Sequence, residues 1–195
     1  QTDNYTLPAK TLVPLLMDLS FEDENTKQAQ KKLNDWNYVL DKNSIPAAIY
    51  SEWENVLMAE AENQFIPESI RDDVYLQLTK LLMWIENPET RFGKNVVENR
   101  NLFLKKSFST AIQTLTNRLG EDMNHWQYGQ EKNKHIIIPH PLSNALPENY
   151  PTQFSVGPAP RGGSRYTPNS TSKNLNQSSG ASFRIIVDTG DWEKS

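Results

Sequence analysis

The feature that most constrains the fold is a change of pattern near residue 133. Before it, apolar residues recur at helical spacing and glycine is rare, whereas most of the glycines follow it among many Pro, Ser and Asn residues. Apolar residues at helical spacing indicate amphipathic helices, and a polar, glycine-rich tail is typical of long loops. We therefore predict a mostly α, α+β chain, with a helical region at residues 1–132 and a loop-rich segment with strands at residues 133–195.

Five helices are predicted in the first region from their caps, prolines and apolar stripes. The clearest begins at Ser44, a favourable N-cap, and has Pro46 in its first turn. One helix is expected after Thr6 as its cap, with Pro14 kinking or shortening it. The others are expected over about 26–36, from Glu68 or Ser69 to Pro88, and up to Gly120 as a C-terminal cap.

Two strands are predicted in the second region, at His135–Ile138 and Phe183–Asp188. Pro139 ends the first, which indicates an edge strand, and the second carries apolar residues on both faces. Neither has a neighbouring hairpin partner, although buried backbone groups need hydrogen-bond partners. We expect these strands to pair with each other or with strands outside this chain, where they would complete a larger sheet.

Composition excludes several classes of function. A net charge of −4 lacks the basic surplus of a nucleic-acid-binding domain, and no apolar run is long enough to span a membrane. The absence of cysteine excludes disulfides, thiolate catalysis and thiolate metal sites. The first residues lack the pattern of a signal peptide, and because the sequence starts with Gln1 we expect a processed or excised chain.

No complete active site is visible in the residues alone. Phosphate-binding loops, zinc helices and the Gly-x-Ser-x-Gly elbow are absent. The histidines at 125, 135 and 140 do not follow a zinc-ligand spacing, and His140, between two prolines, is expected to hydrogen-bond to the backbone. Two acidic pairs are interpreted as solvated faces, with a calcium ligand among them as the alternative: Asp72-Asp73 and Glu121-Asp122.

The most unusual local chemistry is the segment 158–164, with Arg161 followed by Gly162 and Gly163. Consecutive glycines permit positive φ and close backbone approach. We expect a tight turn in which Arg161 pairs with a structural acid. The alternative is that Arg161 binds the carboxylate of a ligand through two hydrogen bonds.

Several spaced motifs follow one another in an order known from a family of hydrolases. The most specific motifs are Leu119-Gly120, Trp126-Gln127-Tyr128-Gly129, His135 and Pro139-His140-Pro141-Leu142. Before them come Gln1-Thr2-Asp3, Leu33-Asn34-Asp35-Trp36, Ser44 and Trp53. After them come Arg161-Gly162-Gly163, Thr167-Pro168-Asn169 and the segment 180–188. Together they resemble the penicillin acylase (penicillin amidase) family of N-terminal nucleophile hydrolases over nearly the whole chain. Tyr128 stands where the family has a second tryptophan, and Asn37 stands at a glycine position.

The resemblance implies a parent enzyme that cleaves an amide bond. In the family, a serine at the N-terminus of the large subunit attacks the acyl carbon with its own α-amine as base, while an asparagine and backbone amides hold the oxyanion. The resemblance places these groups, and most of the family's calcium ligands, before Gln1. It therefore assigns no catalytic, substrate-binding or metal residue and no cofactor to this chain, and implies a structural role for these residues: Trp126, Gly129, His135, His140, Arg161, Gly162, Gly163 and Asn169.

On this interpretation the chain is the C-terminal part of a large (β) subunit. It acts as scaffold for the small subunit and the N-terminal part of the large subunit, and it is inactive alone. The parent would hydrolyse penicillins, acyl-homoserine lactones or similar N-acyl compounds in a bacterial periplasm, with a role in antibiotic metabolism. Two alternatives remain open, namely a non-catalytic binding or structural module that retains the acylase framework, and an unrelated helical interaction domain.

Overall fold

The computed structural model describes residues 4–142, 145, 155–181 and 190. Within them, five α-helices precede a two-stranded sheet, which confirms the predicted mostly α, α+β class. The elements in chain order are α1 (Leu7–Met17), α2 (Glu24–Leu33), α3 (Ile45–Phe65), α4 (Leu78–Glu86), α5 (Val96–Leu119), β1 (His135–Ile138) and β2 (Val156–Pro160), with short 3₁₀ turns at Glu68–Ile70, Pro88–Thr90 and Met123–His125. No helix in the described ranges is long and apolar enough to cross a membrane.

Side chains cap the N-termini of α2 and α3, and a glycine ends α5. The Ser44 side chain accepts a hydrogen bond from the Ala47 N–H at 3.2 Å, which confirms the predicted start of α3. Gly120 ends α5 with a φ of +92°, as expected of a glycine cap. Thr6 lies at the N-cap of α1, the predicted position, although its side chain makes no capping hydrogen bond.

Two predicted helix boundaries are wrong. The helix α4 begins at Leu78 and not at Glu68 or Ser69. Residues 68–70 form only a 3₁₀ turn, and residues 74–77 are not helical. Ile70 and Val74 would lie on the apolar face of the longer predicted helix, but each is 42% exposed. Without apolar burial little offsets the cost of starting a helix. The helix α2 ends at Leu33, so Trp36 packs from the following loop. The helix α1 continues through Pro14 to Met17.

The core lies between α3 and α5. Trp53 on α3 is fully buried, donates its ring N–H to Ser107 Oγ at 3.0 Å and meets Phe108 edge-on at 5.6 Å. A second aromatic cluster closes the other end of these helices, and neighbouring rings in it have centroids 5.3–5.8 Å apart: Phe65, Trp84, Phe92 and Phe103. The aromatic contacts in the two clusters hold the helices of the first region together.

Within the described residues, the small sheet has two strands, so β1 is the edge strand that was predicted. The strand β1 pairs antiparallel with β2, with His135 opposite Pro160 and Ile138 opposite Val156. On its other side, the His135 N–H donates to the Leu175 carbonyl and its carbonyl accepts from the Gln177 N–H, each at 2.9 Å. Within the described residues, this isolated bridge covers the outer side of β1 at its first residue.

The strand β2 was not anticipated, because its Val-Gly-Pro-Ala-Pro sequence is typical of a loop. It supplies the partner that β1 lacked in the sequence. The predicted strand at Phe183–Asp188 and the opening Gln1-Thr2-Asp3 lie outside the described residues. The division of the chain at residue 132 stays a prediction.

Candidate functional site

Tyr128 joins the end of the helical region to the tail. It is fully buried, and its hydroxyl donates a hydrogen bond to the Gly163 carbonyl. Its backbone N–H donates to the Ser44 carbonyl at 3.1 Å, and the Gly129 N–H donates to the Lys42 carbonyl at 2.7 Å. One buried tyrosine thus connects the loop before α3 with the tail.

Arg161 holds the tail through oxygen atoms of neutral groups. Its guanidinium donates to the carbonyls of Gly163, Ser172 and Asn174 at 3.3, 3.0 and 2.6 Å, and to Thr171 Oγ1 at 2.8 Å. The prediction that it pairs with a structural acid is wrong. The N–H groups of its guanidinium instead donate to carbonyls of a loop. These carbonyls need hydrogen-bond partners, and the loop does not pair as a strand to provide them.

The two glycines after Arg161 allow a close approach to the first residues of the fold. A Cβ at Gly162 would lie 2.5 Å from Asn4 Nδ2 and 2.7 Å from the Leu40 carbonyl oxygen, and Gly163 has a φ of +74°. Asn169 Nδ2 donates to Asn4 Oδ1 at 2.9 Å. We call Tyr128, Arg161, Gly162, Gly163 and Asn169 the tail anchor, because these residues attach the tail to the helices and to the start of the chain.

The other motif residues make separate contacts of their own. The Trp126 ring N–H donates to the Gly120 carbonyl at 2.9 Å, and a Cβ at Gly129 would lie 2.6 Å from Lys42 Cβ. His135 belongs to β1, and His140 Nδ1 accepts from the Leu142 N–H at 3.2 Å, the backbone contact predicted for it. No group of His, Asp and Glu residues in the described ranges could hold a metal ion.

A polar cleft of about 560 Å³ lies beside the tail anchor, between α3 and the tail segment 164–175. We call it the polar cleft. Its size falls within the range of small-molecule sites. Its ionisable and hydroxyl-bearing lining includes Glu52, Glu54, Arg118, Tyr128, Lys134 and Arg165.

Glu54 is an acid placed among apolar neighbours on α3. It is 5% exposed, and it accepts a hydrogen bond from the Tyr50 hydroxyl at 2.7 Å. Burial raises the pKa of Glu54 to about 7, although the Tyr50 hydrogen bond and the charge of Lys134 oppose the shift. This carboxyl therefore changes protonation near neutral pH.

Lys134 brings a buried cation to the same cleft. It is 3% exposed, and its Nζ donates to the Lys173 carbonyl at 2.7 Å. Burial, reinforced by the charge of Arg161, lowers the pKa of Lys134 to about 8. One carbonyl satisfies only one of the three donors of an ammonium group.

Two arginines complete the charge pattern of the polar cleft. Arg118 forms an ion pair with Glu52 at 2.6 Å and donates to Asn133 Oδ1 at 3.0 Å. Arg165 is exposed and stacks over the rings of Tyr75 and Tyr166, with centroid distances of 5.4 and 5.5 Å. The first cation is neutralised locally, whereas the second forms no ion pair with a described carboxylate.

The comparison with known families gives one result. The family model described as penicillin amidase matches residues 1–195, the whole chain. The chain belongs to the penicillin amidase family. The resemblance drawn from the spaced motifs is thereby confirmed, and the interpretation as an unrelated helical domain is excluded. No curated protein matches the sequence.

In this penicillin amidase family member, the structure gathers part of the predicted motif set. Arg161, Gly162, Gly163 and Asn169 meet in the tail anchor with Tyr128, whereas His140 lies past the end of β1. The anchor contacts are hydrogen bonds and close backbone approaches. That these residues are structural supports common to the family stays a prediction.

Sequence reasoning missed Glu54 and Lys134, the two buried ionisable groups of the cleft. A signal existed for Glu54, because it lies beside Trp53 and one turn after Tyr50, within an otherwise apolar stripe of α3. An acid in such a stripe indicates a buried carboxyl. Lys134 had no comparable signal, because its burial results from the tail folding over it.

Proposed function

We propose that this chain is a scaffold section of an amidohydrolase that cleaves the amide bond of N-acyl compounds. Membership of the penicillin amidase family supports the class of reaction. The observation that carries the scaffold role is the tail anchor, in which Tyr128 and Arg161 are turned towards main-chain carbonyls. Donors used in this way hold the backbone in place and are not free to act on a substrate.

The chemistry of the reaction supports the same division of labour. Acyl transfer needs a nucleophile within hydrogen-bond reach of a base, and donors that stabilise the oxyanion. The motif resemblance places the nucleophilic serine, its α-amine and the oxyanion asparagine in the part of the family that precedes Gln1. We propose that the small subunit and the N-terminal part of the large subunit are the partners of this segment, in a periplasmic enzyme of a bacterium.

An experiment on the native protein tests the proposal. The intact mass and N-terminal sequence of the species that contains these peptides are measured in the source cells. A larger subunit that starts with serine is the expected result. A native species that begins at Gln1 and ends near Ser195 would overturn the scaffold role.

An activity assay makes the same test with the chain itself. The purified 195-residue chain is incubated with a chromogenic N-acyl amide, and release of the amine is followed. We expect no hydrolysis above the rate in buffer. Hydrolysis that disappears on substitution of a residue within the chain would contradict the proposal.

A second candidate function is a non-catalytic binding module. The observation that favours it is the polar cleft, which has the size of a ligand site and contains buried charges. The native-mass experiment discriminates between the two candidates, because the binding module predicts the short species.

A further inference from the structure

The buried charges at the polar cleft do not balance. Lys134 lines the cleft, and Arg161 lies beside it, with its backbone N–H bonded to the Lys134 carbonyl at 3.2 Å. The two residues are 3% and 4% exposed, and neither forms an ion pair with a described carboxylate. Glu52 is already engaged by Arg118 at 2.6 Å. Of the two buried carboxylates that line the cleft, only Glu54 remains to offset two cations, and the partly exposed Glu62 forms an ion pair with neither of them. Burial of unpaired charge is costly. The cleft therefore favours an added negative charge.

Hydrogen-bond donors at the cleft point to the same kind of ligand. Lys134 Nζ donates to one acceptor, the Lys173 carbonyl, and an ammonium group carries three donors. Arg165 also lines the cleft, where its guanidinium lies against the rings of Tyr75 and Tyr166 without a described carboxylate partner. A planar carboxylate can accept from an ammonium and a guanidinium together.

The rest of the lining is apolar enough to hold an organic body. Met58 and Ala59 of α3 line the cleft together with the ring of Tyr75 and the side chain of Leu175. Tyr75 and Leu175 are 55% and 38% exposed, so an apolar ligand would cover surface that now faces water. Small-molecule sites commonly combine such walls with a few polar groups that fix orientation.

We propose that the polar cleft binds a small organic carboxylate with an apolar or aromatic body. Lys134 and Arg165 receive the carboxylate, while Tyr75, Met58 and Leu175 contact the body. An organic ammonium is disfavoured, because it would add a third cation beside Lys134 and Arg161. This site does not depend on the proposed amidohydrolase function, and its test measures binding without any hydrolysis.

Binding should weaken as pH rises from about 6 to 8.5. Glu54, with a pKa of about 7, becomes an anion beside the carboxylate, and Lys134, with a pKa of about 8, loses its charge. Both changes act in the same direction. The other titratable or charged groups around the cleft are Glu52 and Glu62 on α3, Arg118 on α5, Tyr128 before β1, Tyr75 before α4, and Arg161, Arg165, Tyr166 and Lys173 in the tail.

The test compares three probes of one shape on the 195-residue chain by calorimetry at about pH 6. Benzoate carries the carboxylate, benzamide is its neutral counterpart and benzylammonium is a cation. We expect benzoate to bind at least about tenfold more tightly than either of the others, a difference typical of one charge-assisted contact. Equal binding of benzoate and benzamide, or absence of benzoate binding at millimolar concentration, overturns the proposal.

Variants locate the site. Arg165→Met changes an exposed side chain, so the fold should persist, and we expect benzoate affinity to fall about fivefold. Lys134→Met should reduce affinity about tenfold or more, with helical circular dichroism as the check on folding. Lys94→Met, at an exposed lysine that does not line the cleft, is the matched control and should bind as the original does. Unchanged affinity in folded Arg165→Met overturns the proposal even where Lys134→Met does not fold.

The variant Glu54→Gln separates the effect of Glu54 ionisation from that of Lys134 deprotonation. It keeps the shape of the side chain but removes its ionisation, so the loss of affinity between about pH 6 and 7.5 should largely disappear. The loss above about pH 8, which comes from Lys134, should remain. A pH profile identical to that of the original chain would contradict the assignment of Glu54 to this site.

Discussion

The helical region and the tail are held in place by different kinds of interaction. Every buried hydrophobic residue of the described structure lies between Ala9 and Tyr128. After Tyr128, the buried side chains in the described residues are polar or charged: Asn133, Lys134, Arg161, Ser164, Thr167 and Thr171. The helices pack through apolar surface, whereas the tail is attached by directed hydrogen bonds.

Because their attachments differ, the two regions should unfold in different ways. Apolar packing is non-directional and tolerates small shifts, but hydrogen bonds depend on distance and angle. The tail should therefore come away from the helices while the helices stay folded. The polar cleft lies between the two regions, so it depends on the weaker of the two attachments.

The largest effect is expected from Trp53→Ala in the helical core. Trp53 is fully buried and donates to Ser107 Oγ, so its loss leaves a large cavity and removes one hydrogen bond from a buried hydroxyl. We expect the free energy of unfolding to fall by about 4 kcal/mol, measured by urea titration with helical circular dichroism. Leu102→Ala, at a residue 64% exposed on α5, is the control and should cost under about 0.5 kcal/mol. Similar losses for the two variants would show that Trp53 does not anchor the core.

A smaller and more local effect is expected from Arg161→Met in the tail anchor. The change removes donors to three carbonyls and one hydroxyl, although it also removes a buried charge. We expect a loss of about 3 kcal/mol that is confined to the tail. Limited proteolysis should cut within 155–181 much faster, while the helical circular dichroism is retained.

Arg165→Met is the matched control for Arg161→Met, because it removes an exposed arginine from the same segment. Its protease sensitivity should stay close to that of the original chain. If Arg161→Met loses helical circular dichroism together with protease resistance in the tail, the two regions unfold as one cooperative unit. Their different attachments then do not make them unfold separately.

The third prediction concerns pH. The folded pKa of Glu54 is raised from 4.5 to about 7, so the folded state binds more protons than the unfolded state between these values. Stability should therefore fall as pH rises from about 4.5 to 7, with a slope of up to about 1.4 kcal/mol per pH unit. The folded pKa of Lys134 is lowered from 10.5 to about 8, so stability should recover between about pH 8 and 10.5.

A minimum of stability near about pH 7 to 8 is the expected result of urea titrations across the pH range. Glu54→Gln should remove the fall below about pH 7, and Glu68→Gln, at an exposed acid, should leave the fall in place. If stability instead rises between about pH 5 and 7 in the original chain, the folded state stabilises the Glu54 carboxyl as an anion and burial does not dominate its pKa.

Particular residues show how far the sequence could predict the site. The spaced motifs identified the family, and Arg161, Gly162, Gly163 and Asn169 do meet in the tail anchor. The partners of Arg161 were predicted wrongly, because a guanidinium donates to carboxylates and carbonyls alike and the choice depends on what the fold brings near. The polar cleft was missed, because Glu54 and Lys134 are far apart in the sequence and share no motif.

The sequence by itself determined the helices, their capping at Ser44 and Gly120, the mostly α class and the family. These follow from interactions between residues close along the chain, or from an order of motifs that is visible directly. The tertiary structure alone decided that β1 pairs with β2, that Arg161 holds carbonyls, and that Glu54 and Lys134 share a cleft. Each of these depends on burial and on contacts between distant residues, and the energies of charged and polar groups change most when distant segments exclude water from them.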